Sequence, residues 1–301
     1  MAKFNSLKVK DIKRETADAV SVAFDVPPTL QIPYQYKQGQ YITLKMTING
    51  EEVRRSYSIC TNPYTEKELR VAIKEVKDGR VSTYINQKLK VGDVIEVMTP
   101  MGNFHSVLSG ANKKNYVLFA GGSGITPMMS ILKSILHIEK QSNVTLIYAN
   151  RDEAATIFKS ELEKIATDNK DNFTLVNVYD SPKTEVADLY KGIVTTDKAK
   201  ALVEKHGLGK ADEYFICGPG PLMENIKTTL EGLKVAKEKI HIEYFTAVAE
   251  AVAKAPPSSP SPPVTLTDAA RQQKSYQLTK REQQRQRQQR RRREQRDDRR
   301  V

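Results

Sequence analysis

From residue 4 to about 108, apolar positions come in short runs that alternate with polar ones or are rich in β-branched residues. Tyr41-Ile42-Thr43-Leu44 and Leu69-Arg70-Val71-Ala72-Ile73 are examples, and such runs predict half-buried strands. Asn49-Gly50 separates the run Tyr41–Ile48 from Glu51–Ile59. Both residues tolerate the positive φ of a two-residue type I′ turn, so a hairpin is expected there. Pro27-Pro28 and Gly92-Asp93 mark further turns, and one short helix is expected over Arg80–Lys88. Closely spaced strands with a single helix among them predict a small antiparallel barrel.

From residue 115 the pattern changes. Tyr116–Ala120 is a short apolar run that ends in glycines, and Pro127–Glu139 follows with helical spacing. Strand-like Val144–Tyr148, helical Glu153–Ile165, strand-like Phe173–Val178 and helical Asp197–His206 continue the series. Strand-like Tyr214–Cys217, helical Pro221–Leu233 and strand-like Ile240–Tyr244 complete it. Strands alternating with helices predict βαβ units and a doubly wound parallel sheet. The fold expected is therefore β + α/β, an antiparallel barrel over 1–110 followed by an α/β domain over 111–248. Residues 249–263 read as a linker rich in Pro and Ser, favouring extended polyproline II geometry. Residues 264–301 open with a possible hairpin, Val264-Thr265-Leu266 and Ser275-Tyr276-Gln277-Leu278. They end in Arg, Gln, Glu and Asp with almost nothing apolar to bury, which reads as disorder.

Charge alters this picture only at the end of the chain. Residues 271–301 hold 13 Lys/Arg and 4 Asp/Glu, a net of +9 out of +12 for all 301 residues. The body is close to neutral. An arginine-rich segment of this kind can bind nucleic acid through phosphates; the interspersed acids and missing aromatics weigh towards a solvated end. No apolar run approaches the ~20 residues that span a bilayer, and the first residues lack the apolar segment of a signal peptide, so a cytoplasmic location is the default. Cys60 and Cys217 are the only cysteines, too few for a disulfide framework or an iron–sulfur cluster. His105, His137, His206 and His241 are scattered without metal-ligand spacing, so no metal site is expected.

Three segments carry candidate chemistry. Gly121-Gly122-Ser123-Gly124-Ile125-Thr126-Pro127 lies between a strand and a helix. Free N–H groups and the dipole at a helix N-terminus hold a pyrophosphate, and Pro127 fits the first turn. A plain glycine-rich turn is the bland alternative, and the motif is not GxGxxG. Arg55-Ser56-Tyr57-Ser58 follows the Asn49-Gly50 turn. Alternation puts Arg55 and Tyr57 on one face, where a guanidinium can pair with a diphosphate and a ring can lie on a flat heterocycle; alone, the pair reads as ordinary surface. Cys217-Gly218-Pro219 ends a parallel strand, the edge where ligands bind in such sheets, although a lone Cys is most often a small buried hydrophobe.

In this order and at these separations the three segments resemble the ferredoxin–NADP reductase superfamily, over about residues 5–247. Within it the chain is similar to reductase components of multicomponent oxygenases, the phenylacetyl-CoA epoxidase reductases in particular. The resemblance implies an FAD-binding barrel, an NAD(P)-binding α/β domain and an NAD(P)H-dependent flavoprotein reductase. It implies that Arg55 contacts the FAD pyrophosphate, Tyr57 lies against the isoalloxazine and Ser58 stands near the flavin N5. Gly79, Val81, Ser82 and Thr83 match the stretch that receives FAD phosphates at a helix N-terminus, with Ser82 and Thr83 as donors. Gly121, Gly124, Thr126 and Pro127 match the NAD(P)H pyrophosphate loop. Cys217, Gly218 and Pro219 match the edge beside the nicotinamide, and Glu243-Tyr244-Phe245 matches the segment bordering the flavin. Tyr57, Ser58 and Cys217 are thus the candidate catalytic residues.

Hydride transfer needs the nicotinamide C4 about 3–3.5 Å from the flavin N5. The flavin can then release electrons singly, to a ferredoxin or an oxygenase component; a free flavin or quinone reductase is the alternative. Arg151, at the end of the second sheet strand, is placed to pair with the 2′-phosphate of NADPH or is a surface arginine opening the next helix. Reductases of this type continue past their linker into a ferredoxin domain with a C-x₄-C-x₂-C run. No Cys follows Cys217, so this chain is expected to carry no cluster and resembles such a reductase without that domain.

Overall fold

The computed structural model describes residues 3–245. The Pro-rich linker, the hairpin expected after it and the Arg-rich segment lie outside the described residues. The first half is a six-stranded antiparallel sheet. It comprises β1 (Phe4–Thr16), β2 (Ala19–Asp25), β3 (Tyr41–Ile48), β4 (Glu51–Ser58), β5 (Leu69–Lys74) and β6 (Val94–Met98), in the order β4-β3-β6-β1-β2-β5. The sheet curls until its two edges meet: Ile59, just past β4, bridges Val71 of β5, and the Cys60 amide donates to the Arg70 carbonyl at 2.9 Å. Strand β1 shifts register between Val9 and Asp11 and between Arg14 and Thr16. Such irregularities bend a strand and increase its twist, which lets β1 pair with β6 through its first half and β2 through its second. Leu7, Val9, Val22, Phe24, Ile42, Leu44, Val71, Ile73, Ile95 and Val97 fill the interior, as expected where alternate residues face inward.

The expected hairpin is present. Ile48 pairs with Glu51, and Asn49 and Gly50 have φ of 52° and 81°, as a type I′ turn requires. Helix α1 (Arg80–Gln87) matches the one expected.

The second half holds five parallel strands: β7 (Asn115–Gly121), β8 (Asn143–Asn150), β9 (Phe173–Tyr179), β10 (Glu213–Cys217) and β11 (Ile240–Glu243). Their order is β11-β10-β7-β8-β9. After its first residue β7 is buried throughout, which explains a continuous apolar run rather than an alternation: helices cover both faces. Helices α2 (Ile125–Ile138) and α3 (Lys159–Asp168) lie on one face, with Leu118, Ala120, Leu146 and Tyr148 beneath them. Helices α4 (Thr196–Lys205) and α5 (Gly220–Gly232) lie on the other, over Val117, Phe119, Ile147, Tyr214 and Ile216. Ala19, Cys60, Ala72 and Phe104 join the first of these clusters, so barrel and sheet share buried apolar surface. Among the described residues no helix is long and apolar enough to cross a membrane.

Two expectations are corrected. The helix expected from Pro127 starts at Ile125, directly after a 3₁₀ turn at Gly122–Gly124. Pro127 is its third residue, where the N–H would be unpaired in any case. The helix expected over Glu153–Ile165 is broken. Asp152 caps a short 3₁₀ turn at Glu153–Ala155, and Phe158 sits at φ 60° before α3 begins. Ile157 and Phe158 are both buried in the core. A positive φ is unfavourable for a bulky residue, and the burial of these two side chains holds it.

Candidate functional site

The site grows from two chain segments that leave their sheets at neighbouring edges. On the barrel, β4 carries Arg55 and Tyr57, half-buried, and Ser58, buried. Tyr57 packs against the barrel core beside Val53, and burial pushes its phenol far up. Arg55 donates to the Arg54 carbonyl at 2.7 Å and has no carboxylate partner among the described residues. Other arginines of the barrel differ: Arg54 pairs with Glu52, Arg70 with Asp11 and Glu68, and Arg80 with Glu51, while Arg14 is bonded to Asn86. With its guanidinium bonded only to the adjacent carbonyl, Arg55 is available to an anionic ligand.

Helix α1 brings a second anion-seeking feature alongside. Arg80, its first residue, binds Glu51 at 2.7 Å and the Ile48 carbonyl at 3.2 Å, which anchors the helix start to the β3–β4 hairpin. Gly79 caps that helix without a side-chain bond, and a Cβ there would overlap Ser82 and Val76. The Ser82 hydroxyl donates to the Gly79 carbonyl at 3.1 Å and accepts from the Val76 amide at 3.2 Å. It is thus committed internally. The correction is that the groups open to a phosphate are the first-turn N–H groups at Arg80, Val81 and Ser82, with the Thr83 hydroxyl beside them.

On the sheet, the glycine segment has a different division of labour from the one expected. A Cβ on Gly124 would overlap the Cys217 carbonyl, and one on Gly121 would overlap Leu222. These glycines let the β7 loop lie backbone-to-backbone on Cys217-Gly218. Gly122, at φ 50°, is the glycine of this segment whose Cβ would meet nothing within 4 Å, so it faces open space and is there for its backbone conformation rather than for packing. Thr126 donates to the Ser123 carbonyl at 3.0 Å, so its hydroxyl is engaged too. Strand β5 packs beside the 122–124 turn, which brings barrel and loop together.

Cys217 ends β10 with its side chain fully buried; burial, then the nearby Glu243 carboxylate, raises its thiol well above the ordinary value. It is a neutral thiol, suited to shaping a pocket rather than to nucleophilic attack. Glu243 pairs with it in register from β11, and burial pushes this carboxyl up to about 7. Just beyond, Tyr244 donates to Glu224 at 3.1 Å, and the rings of Tyr244 and Phe245 are exposed at 48% and 47%. Exposed aromatic rings at a strand edge suit a flat ligand.

At the end of β8, Arg151 is 66% exposed in its side chain, with Nε on Asp152 at 3.1 Å. Both Nη nitrogens are without a bond among the described residues. Two neighbours escaped sequence reading. Tyr148 donates to the Gly122 carbonyl at 3.0 Å and so props the glycine turn. Asn150 is buried, and neither polar atom of its amide has a partner among the described residues. Tyr148 and Asn150 were hidden by lying in an ordinary strand run; only their position at its carboxyl edge, two residues apart on one face, hints at a role.

A barrel with an arginine free of carboxylate partners among the described residues and an uncapped helix start, joined to a parallel sheet with a glycine turn at its carboxyl edge, fits a flavin- and nicotinamide-dependent oxidoreductase. Comparison with known proteins agrees: residues 6–106 match the oxidoreductase FAD-binding domain and residues 118–228 the oxidoreductase NAD-binding domain. The chain is 37% identical over 246 residues to a component protein of the 1,2-phenylacetyl-CoA epoxidase of Escherichia coli (strain K12), covering 81% of this chain and 68% of that one. It is 32% identical to the ferredoxin reductase component of 3-ketosteroid-9-alpha-monooxygenase of Rhodococcus rhodochrous, covering 80% and 65%. The solved flavohem-like FAD/NAD-binding domain of nitric oxide dioxygenase from Vibrio cholerae superposes with a TM-score of 0.67 at 26% identity, over 79% of this chain and 97% of that one. The chain belongs to the ferredoxin reductase-like FAD- and NAD-binding oxidoreductases, among which the oxygenase reductase components are its relatives. It spans about two thirds of the length of those reductase components.

Proposed function

We propose that this protein takes a hydride from NADPH, or from NADH, onto FAD and passes electrons singly to a separate redox protein, a ferredoxin or an oxygenase component. The observation that carries the proposal is Arg55, without a carboxylate partner among the described residues, next to Tyr57 on β4, with the start of α1 anchored to the β3–β4 hairpin and the Gly122 turn packed against β5. In this reading residues 1–110 bind the flavin and 111–248 the nicotinamide dinucleotide, with 249–263 linking them to 264–301. Arg55, the first-turn N–H groups of Arg80, Val81 and Ser82 behind Gly79, and the Thr83 hydroxyl hold the FAD phosphates. Tyr57 and Phe245 bound the ring system, and Ser58 offers its hydroxyl at the ring edge. FAD, when bound, supplies the two-electron to one-electron conversion that a side chain cannot.

The remaining residues bind and exclude. Gly121, Gly124, Thr126 and Pro127 shape the turn that receives the dinucleotide pyrophosphate, whose charge meets the α2 N-terminus. Cys217, Gly218 and Pro219 wall the nicotinamide side, and the buried neutral thiol keeps water away from it. Asp152 orients Arg151 through Nε, which leaves the Nη pair free for a 2′-phosphate.

An absorption spectrum before and after anaerobic NADPH is the primary test. Flavin bands that bleach are expected; correctly folded protein that shows none and takes up no added FAD overturns the reading. Adding a separate ferredoxin then distinguishes an electron-transfer reductase from a free flavin or quinone reductase. For Arg151→Ala, the KM for NADPH should rise relative to that for NADH; an unchanged ratio assigns Arg151 to the surface. Binding of RNA at low salt by colourless protein would favour nucleic-acid binding through the Arg-rich segment instead.

A further inference from the structure

Helix α2 is apolar and buried along most of its length, yet it carries three polar residues on one face: Ser130, Lys133 and Ser134. They stand at i, i+3 and i+4, which are neighbours on a helix surface. Ser130 and Ser134 are fully buried. A buried hydroxyl is costly unless it is bonded, and these two bond away from their own domain. Ser130 donates to the Thr61 carbonyl at 2.7 Å, and Ser134 lies 3.4 Å from the Asn62 amide oxygen. Asn62 in turn donates to the Lys133 carbonyl at 3.2 Å. The Lys133 ammonium binds Glu66 at 2.8 Å and Glu161 of α3 at 3.2 Å. Burial alone would lower that ammonium; Glu161 and Glu66 together hold it above its ordinary value.

The segment these groups seize is the continuation of β4. Thr61 stands three residues past Ser58, and its hydroxyl donates to the Glu68 carbonyl at 2.8 Å and meets Tyr36 at 2.8 Å. Ile59 and Cys60 are bonded to Gln40 and Arg70 on the barrel. The segment is therefore fixed to the barrel on one side and to α2 on the other. The amino end of α2 is the glycine turn; its middle is this polar face, about 6 Å further along at 1.5 Å per residue from Thr126 to Ser130. The ion pairs of Lys133 border a polar cleft of about 420 Å³, so they keep contact with solvent and avoid full desolvation.

We propose that Ser130, Lys133 and Ser134, with Thr61, Asn62 and Glu66, form a clamp that sets the separation between the flavin-binding strand and the dinucleotide-binding turn. Ser130 and Lys133 are positioning residues for hydride transfer. The inference rests on the flavin and nicotinamide sites read above. It deepens that reading, because it assigns the donor–acceptor distance to a defined set of contacts that touch neither cofactor.

The test compares Ser130→Ala, the double variant S130A/K133M and the conservative Lys133→Arg in the full chain, supplied with FAD. Flavin content and the dissociation constants for FAD and NADPH should stay within about twofold of the parent. The anaerobic single-turnover rate of flavin reduction should fall on the order of tenfold to hundredfold in the double variant, the scale expected for a displacement near 1 Å. Lys133→Arg, which still reaches both carboxylates, should recover most of the rate. In the flavin-free protein, hydrogen exchange at residues 59–66 and in the first turn of α2 should quicken in the double variant. If that variant fails to fold, Ser130→Ala alone carries the test. A parent that binds and reduces flavin while the variants reduce it equally fast overturns the clamp and leaves the site intact. So does a rate loss that follows flavin content or melting temperature alone. A parent that binds no flavin overturns the site itself.

Discussion

Arg55 shows how much a single unpaired charge decides. Arg54, Arg70 and Arg80 are paired with Glu52, Asp11, Glu68 or Glu51, whereas within the barrel the Arg55 side chain makes only a hydrogen bond to the adjacent Arg54 carbonyl, so little of the barrel's stability depends on it. Arg55→Ala is expected to weaken FAD binding on the order of tenfold to hundredfold. That corresponds to about 1.5–3 kcal/mol for a hydrogen bond to a charged group, while the melting temperature of the flavin-free protein holds. Fluorescence titration with FAD checks it; an unchanged affinity would remove Arg55 from the phosphate site. Gly124 makes the opposite kind of demand. Because a Cβ there would overlap the Cys217 carbonyl, Gly124→Ala must push two loops apart. Urea denaturation is expected to register a loss of about 1–3 kcal/mol, typical of overpacking, and the KM for the nicotinamide should rise with it. The arginine was legible as a residue type in a motif. The reason for the glycine was not, because its neighbour lies almost a hundred positions away in the chain.

At the scale of elements, the short edge strand β11 matters more than its length suggests. It places Glu243 opposite Cys217, and the carboxyl is raised to about 7 by burial. An unfolded chain ionises this group near 4.5, so between about 4.5 and 7 the folded form holds the extra proton. Stability contributed by Glu243 is present below that window, falls as pH rises through it and is level above it. Glu243→Gln is therefore expected to melt like the parent near pH 4 and above it at pH 8. Thermal melts of the flavin-free protein at the two pH values measure this, and a constant offset would assign the effect to packing instead. Helical periodicity located α2, α4 and α5 to within two residues. It failed at 153–165, because the burial of Ile157 and Phe158 outweighs local preference and forces a left-handed residue into the run.

For the whole molecule, ligand binding and folding are one balance. A ligand that binds only the folded form at a hundredfold excess over its Kd adds about 2.7 kcal/mol. At about 2–4 °C per kcal/mol for a chain of this size, saturating FAD should raise the melting temperature by several degrees. Calorimetry with and without FAD checks this, and ADP at the same concentration serves as the control. Because barrel and sheet share buried residues such as Ala72 and Phe104, the shift should appear in the transition of the described body as a unit rather than in an isolated barrel.

Local pattern along the chain determined the kinds of element, their order and the three segments from which the candidate site is drawn. Turn chemistry, strand alternation and helix periodicity are short-range effects, written within a few residues of where they act. Long-range contact decided everything that joins those segments: which glycines serve backbone packing, which hydroxyls are already committed, and how the end of β4 is held to α2. Such contacts depend on close packing between residues far apart in sequence, and no local run of residues encodes which distant atom will fill the space beside it.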